Sequence, residues 1–271
     1  MPENEFFRFD GTTLIPCSDS VSEVRLAAAD SWLIEDGKAR AIEEHFARFG
    51  GWVKRFAPQL YPDLAAFFAA VTAAIPLTGR WFPRIELHLA PETKPGIPTD
   101  AAQPVLFLRL REAPAALTDI VLWTLDEPDP RSLPLVKGPD LSLGMQIRRK
   151  AILHNADEAV ILSPSGFLEE GALTSIVWWR GDTLCAPDDS VPWLPSVTRK
   201  AVFAVARDMG FQTKTERVKP ADLVGLEIWA LSSLHGIRPV TDWVNLGSPV
   251  GAIKHYESFQ KRLRLLSRQI R

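Results

Sequence analysis

Ser196 and its flanks are where residue types and order first suggest chemistry. Ser196 has the side chain of a helix N-cap and follows Trp193-Leu194-Pro195. The expected helix carries Val202, Val205, Ala206 and Met209 on one face and stops at Gly210. A helix start offers backbone N–H groups without helical acceptors and the positive end of the dipole, so it can hold a phosphate. Any unliganded helix start looks the same. Other reactive residue types form no pattern. His88, His154 and His255 are isolated and lack metal-ligand spacing. Cys17 and Cys185 stand far apart with no C-x-x-C step. There is no Gly-rich phosphate loop and no nucleophile elbow.

The elements that must position such a site can be read from periodicity. Trp32 to Lys38 reads as a strand entering a turn, followed by a helix through Ile42, His45, Phe46 and Phe49 that Gly50-Gly51 stops. Leu64 to Ala74 is a second helix, and Arg84–Leu89 and 105–110 are strands. Residues 112–139, rich in Pro, Asp and Ser, read as an inter-domain linker. Beyond it, helical period covers 143–155, and Ala159 to Leu162 is a strand. Ser175 to Arg180 turns at Gly181-Asp182 into Leu184-Cys185-Ala186. Glu227 to Ser232 is a strand before the turn His235-Gly236, and Lys254 to Ile270 reads as an amphipathic C-terminal helix.

Read together, these segments form a series. It runs Lys137-Gly138-Pro139-Asp140, Asn155-Ala156-Asp157-Glu158-Ala159 and Gly166-Phe167-Leu168-Glu169-Glu170-Gly171. Leu184-Cys185-Ala186-Pro187, Leu194-Pro195-Ser196-Val197-Thr198-Arg199, Glu227-Ile228-Trp229-Ala230 and Gly236-Ile237-Arg238-Pro239-Val240 complete it. The series resembles the class IV, fold type IV family of pyridoxal 5′-phosphate enzymes. These include branched-chain and D-amino-acid aminotransferases and aminodeoxychorismate lyase. That family shows a lysine, "(N/G)-A-D-E-A", "G-x-x-x-E-G", "L-x-T-P", "L-P-G-I-T-R" and "I-x-P-V" in this order. Upstream, Glu43-Glu44-His45-Phe46-Ala47-Arg48-Phe49 is similar to its "H-x-x-R-L".

The resemblance implies roles. Lys137 would bind the cofactor through its amine and act as general base and acid. Glu170 would face the pyridine nitrogen, with Glu169 the competing neighbour; an anion there keeps the ring protonated and able to take up carbanion charge. The N–H groups of Val197 and Thr198, with the Thr198 hydroxyl, would hold the phosphate, supported by Arg48. The turn Ser233-Leu234 matches the family's "T-A", which offers main-chain donors to phosphate or substrate carboxylate. Several positions depart from the pattern. The family's "D-R-G-x-x-x-G-D" is not recognisable near residues 18–29, Ser142 stands in place of the branched-chain enzymes' tyrosine, and Asp140, Ser196 and Ser175 replace Asn, Gly and Asn. Three activities therefore stay open: amino transfer from an amino acid to a 2-keto acid, release of pyruvate and 4-aminobenzoate by lyase chemistry, and binding without turnover.

Length and composition agree with a globular enzyme. The 271 residues are 46% hydrophobic and 24% charged, with 31 Lys plus Arg against 33 Asp plus Glu, a net charge of −2 that gives no reason to expect a nucleic-acid partner. Leu64 to Leu77, the most apolar stretch, is shorter than the ~20 residues a membrane helix needs, and Met1 to Glu5 does not start a secretory signal. With two cysteines, this suggests a cytoplasmic protein with no membrane partner and no metal. The expected architecture is α/β (α+β) in two domains: a small N-terminal α/β domain over 1–115, a linker over 116–136 that begins the large domain, and a pyridoxal-phosphate-binding domain over 137–271. By resemblance the cofactor lies in the cleft between domains of a homodimer, and the substrates are an amino acid and a keto acid.

Overall fold

The computed structural model describes residues 5–17, 25–89 and 103–271, so the N-terminal tetrapeptide and most of the segment compared with "D-R-G-x-x-x-G-D" lie outside it. The chain divides into two compact units. The first comprises Met1–Pro114, Val136–Pro139 and Ser267–Arg271; the second comprises Ala115–Leu135 and Asp140–Leu266. Lys137 thus belongs to the first unit, whereas the sequence suggested it opens the larger domain.

In the first unit, Glu5–Phe9 (β1), Leu14–Pro16 (β2) and Arg25–Ser31 (β3) precede a hairpin of Ile34–Glu35 (β4) and Lys38–Arg40 (β5). Helices Ile42–Phe56 (α1) and Leu64–Ala74 (α2) follow, then Arg80–Trp81 (β6), Arg84–Leu89 (β7) and Val105–Leu110 (β8). An antiparallel sheet runs β2-β1-β8-β7-β3. α1 does not stop at Gly50-Gly51 as expected. Val53 lies one turn beyond Phe49 on the face that already carries His45, and all three are buried. Continued burial of that stripe outweighs the ~1 kcal/mol helix cost of each glycine. Phe49, Val53, Phe67 and Val71 of the two helices pack with Ile85, Leu87, Leu106 and Leu108 of the sheet as one core. The C-terminus also departs from expectation. The last helix ends at Leu265, and Ser267–Gln269 is a strand paired with β5. The edge of the β4–β5 hairpin supplies the backbone partners the helix would otherwise have offered.

The second unit begins inside the expected linker. Ile120–Thr124 (β9) is an interior strand of an eight-stranded sheet, with Ile120 and Leu122 wholly buried. Its apolar character is hidden in the sequence by flanking Pro and Asp. Next come Leu141–Leu153 (α3), Glu158–Leu162 (β10), Leu168–Gly171 (β11), Ser175–Arg180 (β12) and Thr183–Pro187 (β13). Val197–Asp208 (α4), Gln212–Glu216 (β14), Ile228–Ser232 (β15), Gly236–Trp243 (β16) and Tyr256–Leu265 (α5) complete the unit. The sheet order is β11-β10-β9-β16-β15-β12-β13-β14. One face buries Ile176, Trp178, Ile228 and Val240; the other buries Val177, Trp179 and Trp229 under Val202 and Val205 of α4 and Phe259 of α5. β11 and α4 are the elements that carry Glu170 and the expected phosphate donors.

Candidate functional site

In the first unit, the site is organised by β3. Its Asp30 is wholly buried in an otherwise apolar Ala-Ala-Ala-Asp-Ser run. It is held from α1: Arg48 donates through Nε to Oδ2 and through Nη2 to Oδ1, each at 2.8 Å, and His45 Nδ1 lies 2.8 Å from Oδ1. Burial alone would raise the Asp30 pKa, but Arg48 and His45 overcome it and hold the carboxyl well below the usual range. His45 is pushed down, chiefly by burial, and the Lys137 charge contributes in the same direction. Lys137 is therefore close enough to be felt by this group. Its backbone oxygen accepts from Ala29 N–H at 2.6 Å, which pins the Lys137 segment against β3. Gly138 sits at φ 139°, and a Cβ there would lie 2.8 Å from the backbone of Ala28 and Ala29. Only glycine lets these backbones approach so closely.

In the second unit, Glu170 stands on β11, 5% exposed. Its Oε1 accepts from Arg131 Nη1 at 2.5 Å and from Leu194 N–H at 3.1 Å. Burial pushes its pKa up, against the pull of Arg131 and the Leu194 hydrogen bond. Leu194 lies two residues before the α4 cap, so the Glu170 carboxylate and the start of α4 are tied together. Ser196 caps α4 as expected, its hydroxyl accepting from Arg199 N–H at 3.1 Å. That leaves Val197 and Thr198 as the N1 and N2 positions, whose N–H groups have no helical acceptor. Both residues are buried. Arg199 turns away from this end: Nη2 donates to the Pro187 oxygen at 2.9 Å, and the guanidinium lies 3.8 Å from the Trp193 ring centroid. Ser233 and Leu234 form the β15–β16 turn, where His235 N–H donates to Ser232 Oγ at 3.1 Å.

The residues singled out from the sequence thus fall into two groups. Lys137 and Arg48 share the first unit; Glu170, Val197, Thr198, Ser233 and Leu234 share the second. Glu169, the competing carboxylate, is also buried; Arg131 Nη2 lies 3.4 Å from its Oε2, and burial pushes its pKa up to about 7. Sequence reasoning missed Asp30, Arg131 and Asp129. Asp30 left a signal, as a lone acid in an apolar strand. His45 and Arg48, three apart on one helix face, left another. Arg131 left none, since it lies in an irregular segment 39 residues before its partner.

The chemistry of the donor set fits pyridoxal phosphate. The second unit has a buried carboxylate of the kind a ring nitrogen needs and a helix start with two amides of the kind a phosphate needs; the first, by itself, has a lysine beside a charged cluster. Among the described residues no group of three or more His, Cys, Asp or Glu side chains could hold a metal ion. The amino-transferase class IV family profile matches residues 27–243. Aminodeoxychorismate lyase of Bacillus subtilis is 32% identical over 97 residues, 35% of this chain and 33% of that protein. A probable branched-chain-amino-acid aminotransferase of Rickettsia felis is 25% identical over 97 residues, 36% of this chain and 33% of that protein. These matches therefore span about a third of either relative's length. Among solved structures, a fold IV transaminase from Curtobacterium pusillum superposes with TM-score 0.75 at 17% identity, covering 97% of both chains. A hypothetical aminotransferase from Mycobacterium tuberculosis in its PLP-bound form gives 0.75 at 17% identity, covering 97% of this chain and 98% of that one. The branched-chain amino acid aminotransferase of Escherichia coli gives 0.77 at 16% identity, covering 96% and 92%. At these identities the shared property is the fold, and it is that of the fold type IV transaminases.

Proposed function

We propose, from the premise that this chain belongs to the class IV aminotransferase family, that it transfers an amino group between an amino acid and a 2-keto acid with pyridoxal 5′-phosphate. The observation that carries this reading is the Glu170–Leu194 hydrogen bond, which ties a buried carboxylate to the start of α4. A ring nitrogen and a phosphate are the two ends of one cofactor, and this bond ties the carboxylate that would serve the one to the helix start that would serve the other. Glu170 would hold the ring nitrogen, and the amides of Val197 and Thr198 with the Thr198 hydroxyl would hold the phosphate. Arg48 would add positive charge to the phosphate end, tempered by its pairing with Asp30. The Ser233-Leu234 turn would supply main-chain donors to phosphate or substrate carboxylate.

When bound, the cofactor supplies an electron sink for charge developing at the substrate α-carbon. Lys137 supplies the tethering amine and then, as general base, takes the proton from that carbon. Oligomeric state and location are part of the proposal: a homodimer in the cytoplasm, on family resemblance and on a sequence with two widely separated cysteines.

A second reading is favoured by one observation, the 32% identity to aminodeoxychorismate lyase over 97 residues. In that reading the same lysine serves the release of pyruvate from an aromatic substrate. The first experiment is borohydride reduction of the purified protein with pyridoxal phosphate, followed by peptide mapping. A phosphopyridoxyl adduct on Lys137 is expected; an unlabelled Lys137 would leave the chain a family member without turnover. Product analysis then separates the activities, since transamination yields a keto acid with pyridoxamine phosphate and lyase chemistry yields 4-aminobenzoate with pyruvate.

A further inference from the structure

Glu170 does not stand alone. Arg131 is 6% exposed and is gripped on two sides. Asp129 takes its Nε at 3.0 Å and its Nη2 at 3.0 Å, a side-on pair that fixes the guanidinium plane. That plane aims Nη1 at Glu170 Oε1, 2.5 Å away. Leu194 N–H meets the same oxygen. Both bonds use Oε1 and neither uses Oε2. The carboxylate is therefore held at one oxygen and keeps the other for a further partner.

The reading of Glu170 as the acceptor of the cofactor's ring nitrogen, on which this inference rests, gives the arrangement a consequence. A carboxylate and a pyridine nitrogen in contact share one proton. It sits on the nitrogen if the carboxylate is the weaker base, and on the carboxylate if it is the stronger. Burial makes a carboxylate a stronger base, and an adjacent guanidinium makes it a weaker one. We propose that Arg131 is a positioning residue that keeps Glu170 ionised and thereby keeps the shared proton on the ring nitrogen, with Asp129 orienting it. The other charged groups near Glu170 are Glu169 on β11 and Arg199 on α4. Glu169 faces Asp129 and Arg131 as well as Glu170, and Arg199 feels Glu170 and Asp189. Of the two cations only Arg131 is hydrogen-bonded to Glu170; Arg199 gives its Nη2 to the Pro187 oxygen. Proton placement is thus assigned to a side chain 39 residues from Glu170 in sequence, in a segment with no regular structure.

The test uses the full-length holoprotein reconstituted with pyridoxal phosphate enriched in 15N at the ring nitrogen. The 15N chemical shift reports directly whether that nitrogen carries a proton. The wild type should show the protonated position. Arg131→Met should move the resonance toward that of neutral pyridine. It should also lower kcat by about 10- to 100-fold, the equivalent of a lost charged hydrogen bond of roughly 1.5–3 kcal/mol, with KM for the amino acid little changed. Arg131→Lys, which retains the charge, should restore most of the protonated signal. Asp129→Asn, which loosens the guanidinium without removing it, should give an intermediate shift and serves where the methionine variant fails to fold. An unprotonated wild-type nitrogen overturns the proposal, as does an unmoved resonance in Arg131→Met or a lysine variant that matches the methionine one. If the wild type takes up no cofactor on Lys137, the underlying reading fails and this one with it. If cofactor binds on Lys137 and the resonance ignores Arg131, only this inference falls.

Discussion

Replacing Gly138 by alanine should displace Lys137 without touching its side chain. An added Cβ would lie 2.8 Å from Ala28 Cα, Ala28 C and Ala29 N. All three are backbone atoms of β3, so none can swing aside. Ordinary contact begins near 3.4 Å, so the strip around Gly138 must retreat by about 0.6 Å. The retreat stretches the bond from Ala29 N–H to the Lys137 oxygen. Overpacking of this kind costs about 1–3 kcal/mol. The φ of 139° adds about 1–3 kcal/mol for a residue with a side chain. A total of roughly 2–6 kcal/mol should lower the melting temperature by about 4–24 °C at the ~2–4 °C per kcal/mol typical of chains this size. Gly210→Ala is the control. It has φ 85° with nothing within 4 Å of the added carbon, so it carries only the backbone cost of ~1–2 kcal/mol. Folded Gly138→Ala protein should also take up pyridoxal phosphate on Lys137 less completely under borohydride. Equal melting temperatures for the two variants, with full labelling of both, would refute the claim that β3 positions the lysine.

Three further outcomes follow from the same contacts. Asp30→Ala should destabilise by about 3–5 kcal/mol in urea unfolding, because it leaves Arg48 and His45 without the anion between them. Ser196→Ala should cost about 1 kcal/mol through loss of the α4 cap, and raise the dissociation constant for pyridoxal phosphate by loosening the Val197 and Thr198 amides. The third concerns pH. Burial, outweighing Arg148 and Arg238, pushes Glu158 up from 4.5 to about 7. The folded chain then binds this proton more tightly than the unfolded chain. The stability it contributes is complete below pH 4.5, declines as pH rises through 7, and is on the order of 3 kcal/mol. Urea midpoints of the wild type should therefore fall between pH 5 and 7.5, and Glu158→Gln should flatten part of that fall. Glu169, also raised to about 7, retains the rest.

What was legible in the sequence divides by the range of the contacts involved. α2, β7, β8 and the β12–β13 hairpin were readable to within a residue, because each is an apolar run written in neighbouring positions and the hairpin's Gly181-Asp182 turn is local too. The N-cap at Ser196 was readable because its bond to Arg199 spans three residues. β9 and the C-terminal strand were not. β9 pairs in parallel with β10 and β16, partners far along the chain, and no local turn announces it. Ser267–Gln269 pairs with Lys38–Arg40 across more than 220 residues. Three residues make too short a run for alternation to be seen against a preceding amphipathic helix.

The site divides in the same way. Lys137, Glu170 and the Val197-Thr198 pair were singled out as candidates because they sit in short segments that match the family's motifs in order. The charges that govern them come from elsewhere. Asp30 reaches His45 and Arg48 from 15 and 18 residues away, and Arg131 reaches Glu170 from 39. A motif can name the group that must face a cofactor. It cannot say whether that group will be ionised there, since ionisation depends on burial and on the nearest opposite charge. Glu169 and Glu170 make the point as adjacent, buried carboxylates of one strand. Glu170 takes the 2.5 Å bond from Arg131 and the Leu194 amide, while Glu169 has a 3.4 Å contact with Arg131 and a side-chain hydrogen bond with Asp129, which raises its pKa. The two therefore differ in what holds their charge, although their residue type and neighbourhood in sequence are the same. If that difference decides which of them serves the ring, Glu170→Gln should abolish the protonated ring-nitrogen signal of the holoprotein. Glu169→Gln should leave it in place, and loss of the signal in both variants would show that the pair acts as one charge.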